Sequence, residues 1–249
     1  RIVRDMVDNN QALAIMGNHE YNALCFHFED RAGGHLRPHT IKNIMQHAET
    51  LRQFQHQEAA YESFLEWFMS LPLYYEEPEQ FRAVHACWDT KHIQTLRDVL
   101  PADKLSQALI QEAAQPASAI YHAVEDTLKG REMAVPEGVV FKDKDGVQRH
   151  EFRVKWWEDP QQATYQSISV EKIELLPDTG IDLDKLRHTD YYHEAQVPVF
   201  FGHYWLKGTP YLTRRNVCCL DFSVAKAGKL AAYRLHGETQ LRQEHLTFV

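Results

Sequence analysis

Residues 12–24 read ALAIMGNHEYNAL. The apolar run Ala12–Met16 is short, continuous and bounded by a polar loop, which predicts a buried strand. It ends abruptly in Gly17-Asn18-His19-Glu20. Upstream, Ile2, Val3, Met6 and Val7 recur at helical spacing, and Asn9-Asn10 would stop that helix. Helix, strand and loop in this order belong to α/β folds, where chemistry gathers beyond the C-terminal ends of strands.

The same alternation continues outward from this stretch. Two helices are expected over Pro38 to Thr50 and Glu58 to Met69, the second with Tyr61, Phe64, Leu65 and Phe68 along one core-facing stripe. Pro72 closes it. Phe81 to Ala86 reads as a second buried strand, running into His85-Ala86-Cys87-Trp88-Asp89. From 90 to 132 the pattern is mostly helical, broken at Pro101 and Pro116. A hairpin is then expected, with Val139–Phe141 and Glu151–Trp157 flanking a turn at Asp143-Lys144-Asp145-Gly146. Val197 to Phe201 is a third apolar run, ending in Gly202-His203-Tyr204. Val217–Phe222 and Leu230–Leu235 complete the chain as strands, with Ala227-Gly228-Lys229 turning between them. No linker or repeat interrupts 1–249, so one domain is expected, with 90–195 as an insertion or cap within it.

Composition bounds the chemistry. In 249 residues the hydrophobic fraction is 44% and the charged fraction 25%, as in ordinary globular proteins. No apolar run approaches the roughly 20 residues that span a bilayer, and no signal-peptide pattern opens the chain, so no membrane partner and a cytoplasmic location are expected. A net charge of −8 argues against a nucleic-acid polymer as partner. It leaves room for a phosphorylated substrate, because bound divalent metals would supply positive charge locally. Cys25, Cys87, Cys218 and Cys219 form no CxxC pair and read as buried free thiols of a reducing compartment.

Three strand ends carry metal-ligand chemistry. Asn18 offers a carbonyl oxygen, while His85 and His203 offer imidazole nitrogens; if their strands are neighbours in one sheet, the three converge on one rim. Mixed oxygen and nitrogen ligation suits Mn, Fe or Zn better than Ca or Mg. His19 would point elsewhere from the turn, where it could protonate or hold charge on a leaving oxygen. The bland reading stays beside this one: each histidine could be a satisfied structural residue that binds no metal. Arg37, in HLRPH, could meet a substrate phosphate or be an ordinary surface cation. His35, His39 and His47 fit helical surface positions. Asp89 and Asp221 could orient ligands or cap turns, and Trp88 and Tyr204 could line the site or simply pack.

ALAIMGNHEYNAL resembles the GNHE block of the calcineurin-like metallophosphoesterases, in the branch of phosphoprotein phosphatases and bacterial diadenosine-tetraphosphatase-type enzymes. FRAVHACWD at 81–89 looks like that branch's HG block, with HAC in its place, and VFFGHYW at 199–205 like its later GH block. CLDFSVAKAGKLAAYRL at 219–235 is similar to the closing segment of the bacterial enzymes. The resemblance implies a two-sheet α/β sandwich with a helical plus β-hairpin insertion. It implies Asn18, His85 and His203 as ligands of one metal, His19 as the catalytic histidine, and two divalent ions in the complete site. The implied reaction is hydrolysis of a phosphate ester or anhydride by a metal-bound hydroxide. A dinucleoside polyphosphate or nucleotide is the first substrate expected and a phosphoprotein the second.

The family's opening DxH and GDxxDRG blocks, which carry its metal-binding aspartates, are not found ahead of GNHE. Asp5 and Asp8 lie in the wrong context to replace them, so the chain reads as N-terminally truncated. GHYW also lacks the second histidine of the wider superfamily's GHxH, consistent with the branch named. The competing expectation is a catalytically inactive fragment or binding module on a phosphoesterase scaffold. Oligomeric state is not readable.

Overall fold

Ile2, Val3, Met6 and Val7 do lie on a helix, α1 (Ile2–Asp8), which ends at Asn9 as expected. The computed structural model describes residues 1–142, 146, 148–186 and 189–249. Its chain groups into two compact units: 1–75 with 83–85 and 91–128, and 76–82 with 86–90 and 129–249. The architecture is mixed α/β.

The first unit is helical. After α1 come α2 (Asn18–His27), α3 (Ile41–Gln53) and α4 (Glu58–Met69), then α5 (Thr90–Val99), α6 (Gln107–Ala113) and α7 (Ala119–Lys129). Thr40 and Ser106 cap α3 and α6 by accepting hydrogen bonds from the N–H groups of Asn43 and Leu109. Pro101 opens a short 3₁₀ turn between α5 and α6, so the breaks fall where proline denies the helix a donor. Helix α2 packs on α4. Leu24 and Leu65 are both buried, each burial stabilising by about 1.5–3 kcal/mol. Tyr21 of α2 is buried and donates its hydroxyl to the carbonyl of Ala113 at 3.0 Å.

One expected strand is not formed. Residues 12–16 carry no regular secondary structure and join no sheet. Leu13 is 73% exposed, while Met16 is fully buried and donates its N–H to the Pro72 carbonyl at 2.8 Å. A strand needs a ladder of such bonds with its side chains alternating between faces. The apolar run supplies the buried anchor without the ladder.

Most strand residues fall in the second unit, residues 74–75 and 83–84 being counted with the first. Strands β1 (Tyr74–Glu77), β2 (Phe81–Val84), β7 (Val199–Phe201) and β8 (Val217–Cys219) form a four-stranded sheet in the order β1-β2-β7-β8. Strands β7 and β8 are parallel, pairing Val199 with Val217 and Phe201 with Cys219. The long connection between them is what a parallel pair requires. Strands β9 (Asp221–Phe222), β10 (Lys229–Tyr233) and β11 (Leu246–Phe248) form an antiparallel sheet over Cys218, Phe222, Ala231, Leu241 and Leu246. Val217–Phe222 is therefore two short strands divided at Leu220, and β11 adds a closing strand that the sequence reading omitted.

The hairpin expectation is half corrected. Strand β4 (Phe141–Lys142) pairs with β5 (Gln148–Arg149), whereas β6 (Glu151–Arg153) pairs with β3 (Glu132–Ala134). The turn proposed through Asp143, Lys144 and Asp145 lies outside the described residues. Register follows burial here: Met133 opposes Phe152, and both join Phe141, Val154, Tyr165, Ile168 and Leu176 in one core. Tyr165 and Ile168 come from α8 (Tyr165–Ile168), capped by Thr164.

Candidate functional site

Gly17 is the N-cap of α2, with extended backbone, and donates its N–H to Glu20 Oε2 at 3.0 Å. The glutamate of GNHE thus ties down the start of its own helix. The glycine is required for space. A Cβ at Gly17 would fall 2.6 Å from Glu20 Oε2 and 3.0 Å from both Cε1 and Nδ1 of His85.

That close approach places His85, the residue after β2, against Asn18, the first residue of α2. His85 Nε2 and Asn18 Oδ1 are 2.9 Å apart. Because a carbonyl oxygen can only accept, Nε2 carries the proton in this pairing. Two donors on one divalent ion, each at about 2.1 Å and subtending about 90–110°, are separated by about 3.0–3.4 Å. The observed 2.9 Å falls just short of that span and is an ordinary N–H···O hydrogen-bond distance, so the two atoms would have to part slightly to share an ion. Ligation requires the Nε2 proton to leave or move to Nδ1.

His19 is exposed in the first turn of α2. Around α2 and α3 lies a group of imidazoles that the sequence did not announce as one. His35 stacks on His39 and His39 on Phe26, each with centroids 3.9 Å apart. His39 Nε2 lies 2.8 Å from the Phe26 carbonyl, and His47 Nε2 lies 2.9 Å from the Tyr61 hydroxyl. Burial, together with the charges of Arg37, His19 and His39, holds His47 below the ordinary imidazole range. His47 is buried, against its expected place on a helical surface. Arg37 is half-buried, donating to Asn22 Oδ1 at 2.9 Å and Gln46 Oε1 at 2.6 Å.

The third expected ligand, His203, belongs to the second unit. It follows β7 and is buried, with φ of 72°, a backbone conformation uncommon for a residue with a side chain. Tyr204 is packed against Trp157 and Phe201, and Trp88 is buried beneath the Arg82 guanidinium. Both therefore take the packing role. Asp221 caps turns, accepting from the N–H groups of Trp205 and Ser223 at 3.0 Å each. Asp89 is buried and paired with Arg131. All four cysteines are buried and none is in a disulfide, and burial pushes the Cys218 thiol up to about 12.

In the first unit the buried His92 Nδ1 lies 3.3 Å from Asp126, and in the second the buried Asp89 meets Arg131; neither pairing is specific to a metal. A cavity of about 570 Å³ in the second unit, lined in part by Lys155, Glu158, Ser167, Tyr191 and Arg214, includes none of the expected site residues. Among the described residues no helix is long and apolar enough to cross a membrane. No protein-family model and no curated protein matches the chain.

Proposed function

We propose that the chain belongs to a metal-dependent phosphoesterase, built on the α/β sandwich of the metallophosphoesterases, that hydrolyses phosphate esters or anhydrides. One observation carries the reading: Asn18 and His85 present an oxygen and a nitrogen 2.9 Å apart, with Gly17 leaving the space that lets them meet.

Asn18, His85 and His203 would hold one of two divalent ions, with Mn, Fe or Zn suited to the mixed donor set. Bound there, the metal supplies Lewis acidity toward a phosphoryl oxygen and makes water a usable nucleophile at neutral pH. The protein's own part is positional. Glu20 fixes the first turn of α2, Gly17 admits His85, and His19 stands exposed beside the ligand Asn18, placed to protonate the departing oxygen. Arg37 supplies positive charge toward a phosphate. The substrate proposed is a phosphorylated small molecule, a dinucleoside polyphosphate or nucleotide before a phosphoprotein, in a reducing cytoplasm.

The test is Mn²⁺-dependent phosphate release from an aryl phosphate, diadenosine tetraphosphate and a phosphopeptide. It is run on the chain together with whatever its reading frame encodes upstream, beside His19→Asn and His85→Ala. Turnover that needs the metal and both histidines is expected. A folded protein that releases no phosphate with Mn, Fe or Zn would overturn the reading in favour of a binding scaffold.

A further inference from the structure

The cavity of about 570 Å³ is built wholly from the second unit, and its walls are tied to one another. Lys155, just beyond β6, is held at both ends by α8. Its backbone N–H meets the Ile168 carbonyl at 2.7 Å and its ammonium meets the Ser167 carbonyl at 2.7 Å. Tyr192 donates its N–H to the Trp156 carbonyl at 3.2 Å. Arg214 donates to the carbonyls of Trp157 and Tyr192, and to Glu194 Oε1 at 2.8 Å. A cavity fixed in this way loses little freedom when a ligand enters.

Most of the charge around it is already answered. Arg214 and Glu194 pair with each other. Asp159 accepts from the Gln161 N–H and the Gln162 amide, each at 2.9 Å. Two charges remain. The Glu158 carboxylate makes neither ion pair nor hydrogen bond among the described residues, and the Lys155 ammonium has two of its three hydrogens left. Both groups line the cavity. Burial pushes the Lys155 ammonium below its ordinary range and the charge of Glu158 opposes that. The two therefore act on each other from beyond the roughly 4 Å of an ion pair. Opposite charges that share a cavity without touching are complementary to a ligand that carries both. A simple anion would meet Glu158, and a simple cation would meet Lys155.

We infer that the cavity binds a free aromatic α-amino acid, with Lys155 taking its carboxylate and Glu158 its ammonium. An α-amino acid carries both charges on one carbon, which suits two groups close enough to interact. A peptide sets its ends apart by about 3.3–3.6 Å more for each added residue. The side chain is assigned to the rings of Tyr191 and His193, which line the same cavity with centroids 5.8 Å apart. The site stands apart from the phosphoesterase reading. None of Asn18, His19, His85 and His203 lines it, and binding needs neither metal nor turnover.

Calorimetric titration of the chain with phenylalanine tests this, with melting temperature as the fold control. Phenethylamine lacks the carboxylate and 3-phenylpropionate lacks the ammonium. Each is expected to bind at least about tenfold more weakly than phenylalanine, the loss of one charge-assisted hydrogen bond. Glycyl-phenylalanine, with its charges further apart, is also expected to bind more weakly. Lys155→Met removes the advantage of phenylalanine over phenethylamine, and Glu158→Gln its advantage over 3-phenylpropionate. Each variant leaves the other comparison standing, a pattern that misfolding does not produce. No binding of phenylalanine, equal affinity for either one-charge analogue or for the dipeptide, or variants that bind as the parent chain does would each overturn the site. Phenylalanine binding without metal-dependent turnover would leave the site standing while the phosphoesterase reading fails. Turnover without phenylalanine binding would do the reverse.

Discussion

Asn18 Oδ1 lies 2.9 Å from His85 Nε2, although 67 residues separate them in the chain. The contact joins the first turn of α2 to the end of β2, and the glycine before Asn18 makes it possible.

Gly17→Ala tests that dependence. Its backbone is not left-handed, so the substitution acts through space alone, pushing the new Cβ at Glu20 and His85. Loss of the cap hydrogen bond should cost about 1 kcal/mol, read as a lower midpoint in urea. The chain's stabilisation by added Mn²⁺ should fall with it, since binding to the folded state is what raises the midpoint. An unchanged response to Mn²⁺ would mean that Asn18 and His85 do not share an ion.

His47 makes stability depend on pH. Its imidazole titrates below the ordinary value of 6.5 in the folded chain, so below that pH the unfolded chain binds more protons. Stability from this residue is therefore complete above about 6.5 and declines as pH falls through the window beneath it. Urea unfolding at pH 7.5 and 5.5 should show a drop that His47→Gln reduces, because glutamine can still meet the Tyr61 hydroxyl but cannot take up a proton.

Arg131→Met removes the guanidinium that meets Asp89, a carboxylate 2% exposed. Breaking one side of a buried ion pair typically costs about 3–5 kcal/mol. The same change paired with Asp89→Leu should recover most of that loss. A double variant no more stable than Arg131→Met alone would show that the penalty comes from lost packing, not from the charge.

Gly228→Ala should be among the most damaging single changes in the second unit. The added Cβ would fall 1.9 Å from the Phe222 carbonyl oxygen and 2.6 Å from Ser223 backbone atoms. Backbone cannot yield as a side chain can, so a loss of about 3 kcal/mol, at the top of the overpacking range, is expected in urea unfolding. A loss confined to a few tenths would show that the turn between β9 and β10 relaxes freely.

The sequence by itself determined the local elements. Apolar spacing and the stops at Asn9, Pro72, Pro101 and Pro116 placed the helices, because helix periodicity and the missing proline donor act within a few residues. The α/β class and the strands leading to His85 and His203 were legible for the same reason. Tertiary structure alone decided what those elements meet. It left Ala12–Met16 outside any sheet, since a strand exists only where a neighbour supplies its hydrogen bonds. It paired β6 with β3, because Met133 and Phe152 share one core. It also seated His85 on Asn18 and gathered Lys155, Tyr191 and Arg214 around one cavity, both by close approaches between segments distant in sequence. Such distances belong to the folded chain, and no spacing along the sequence encodes them.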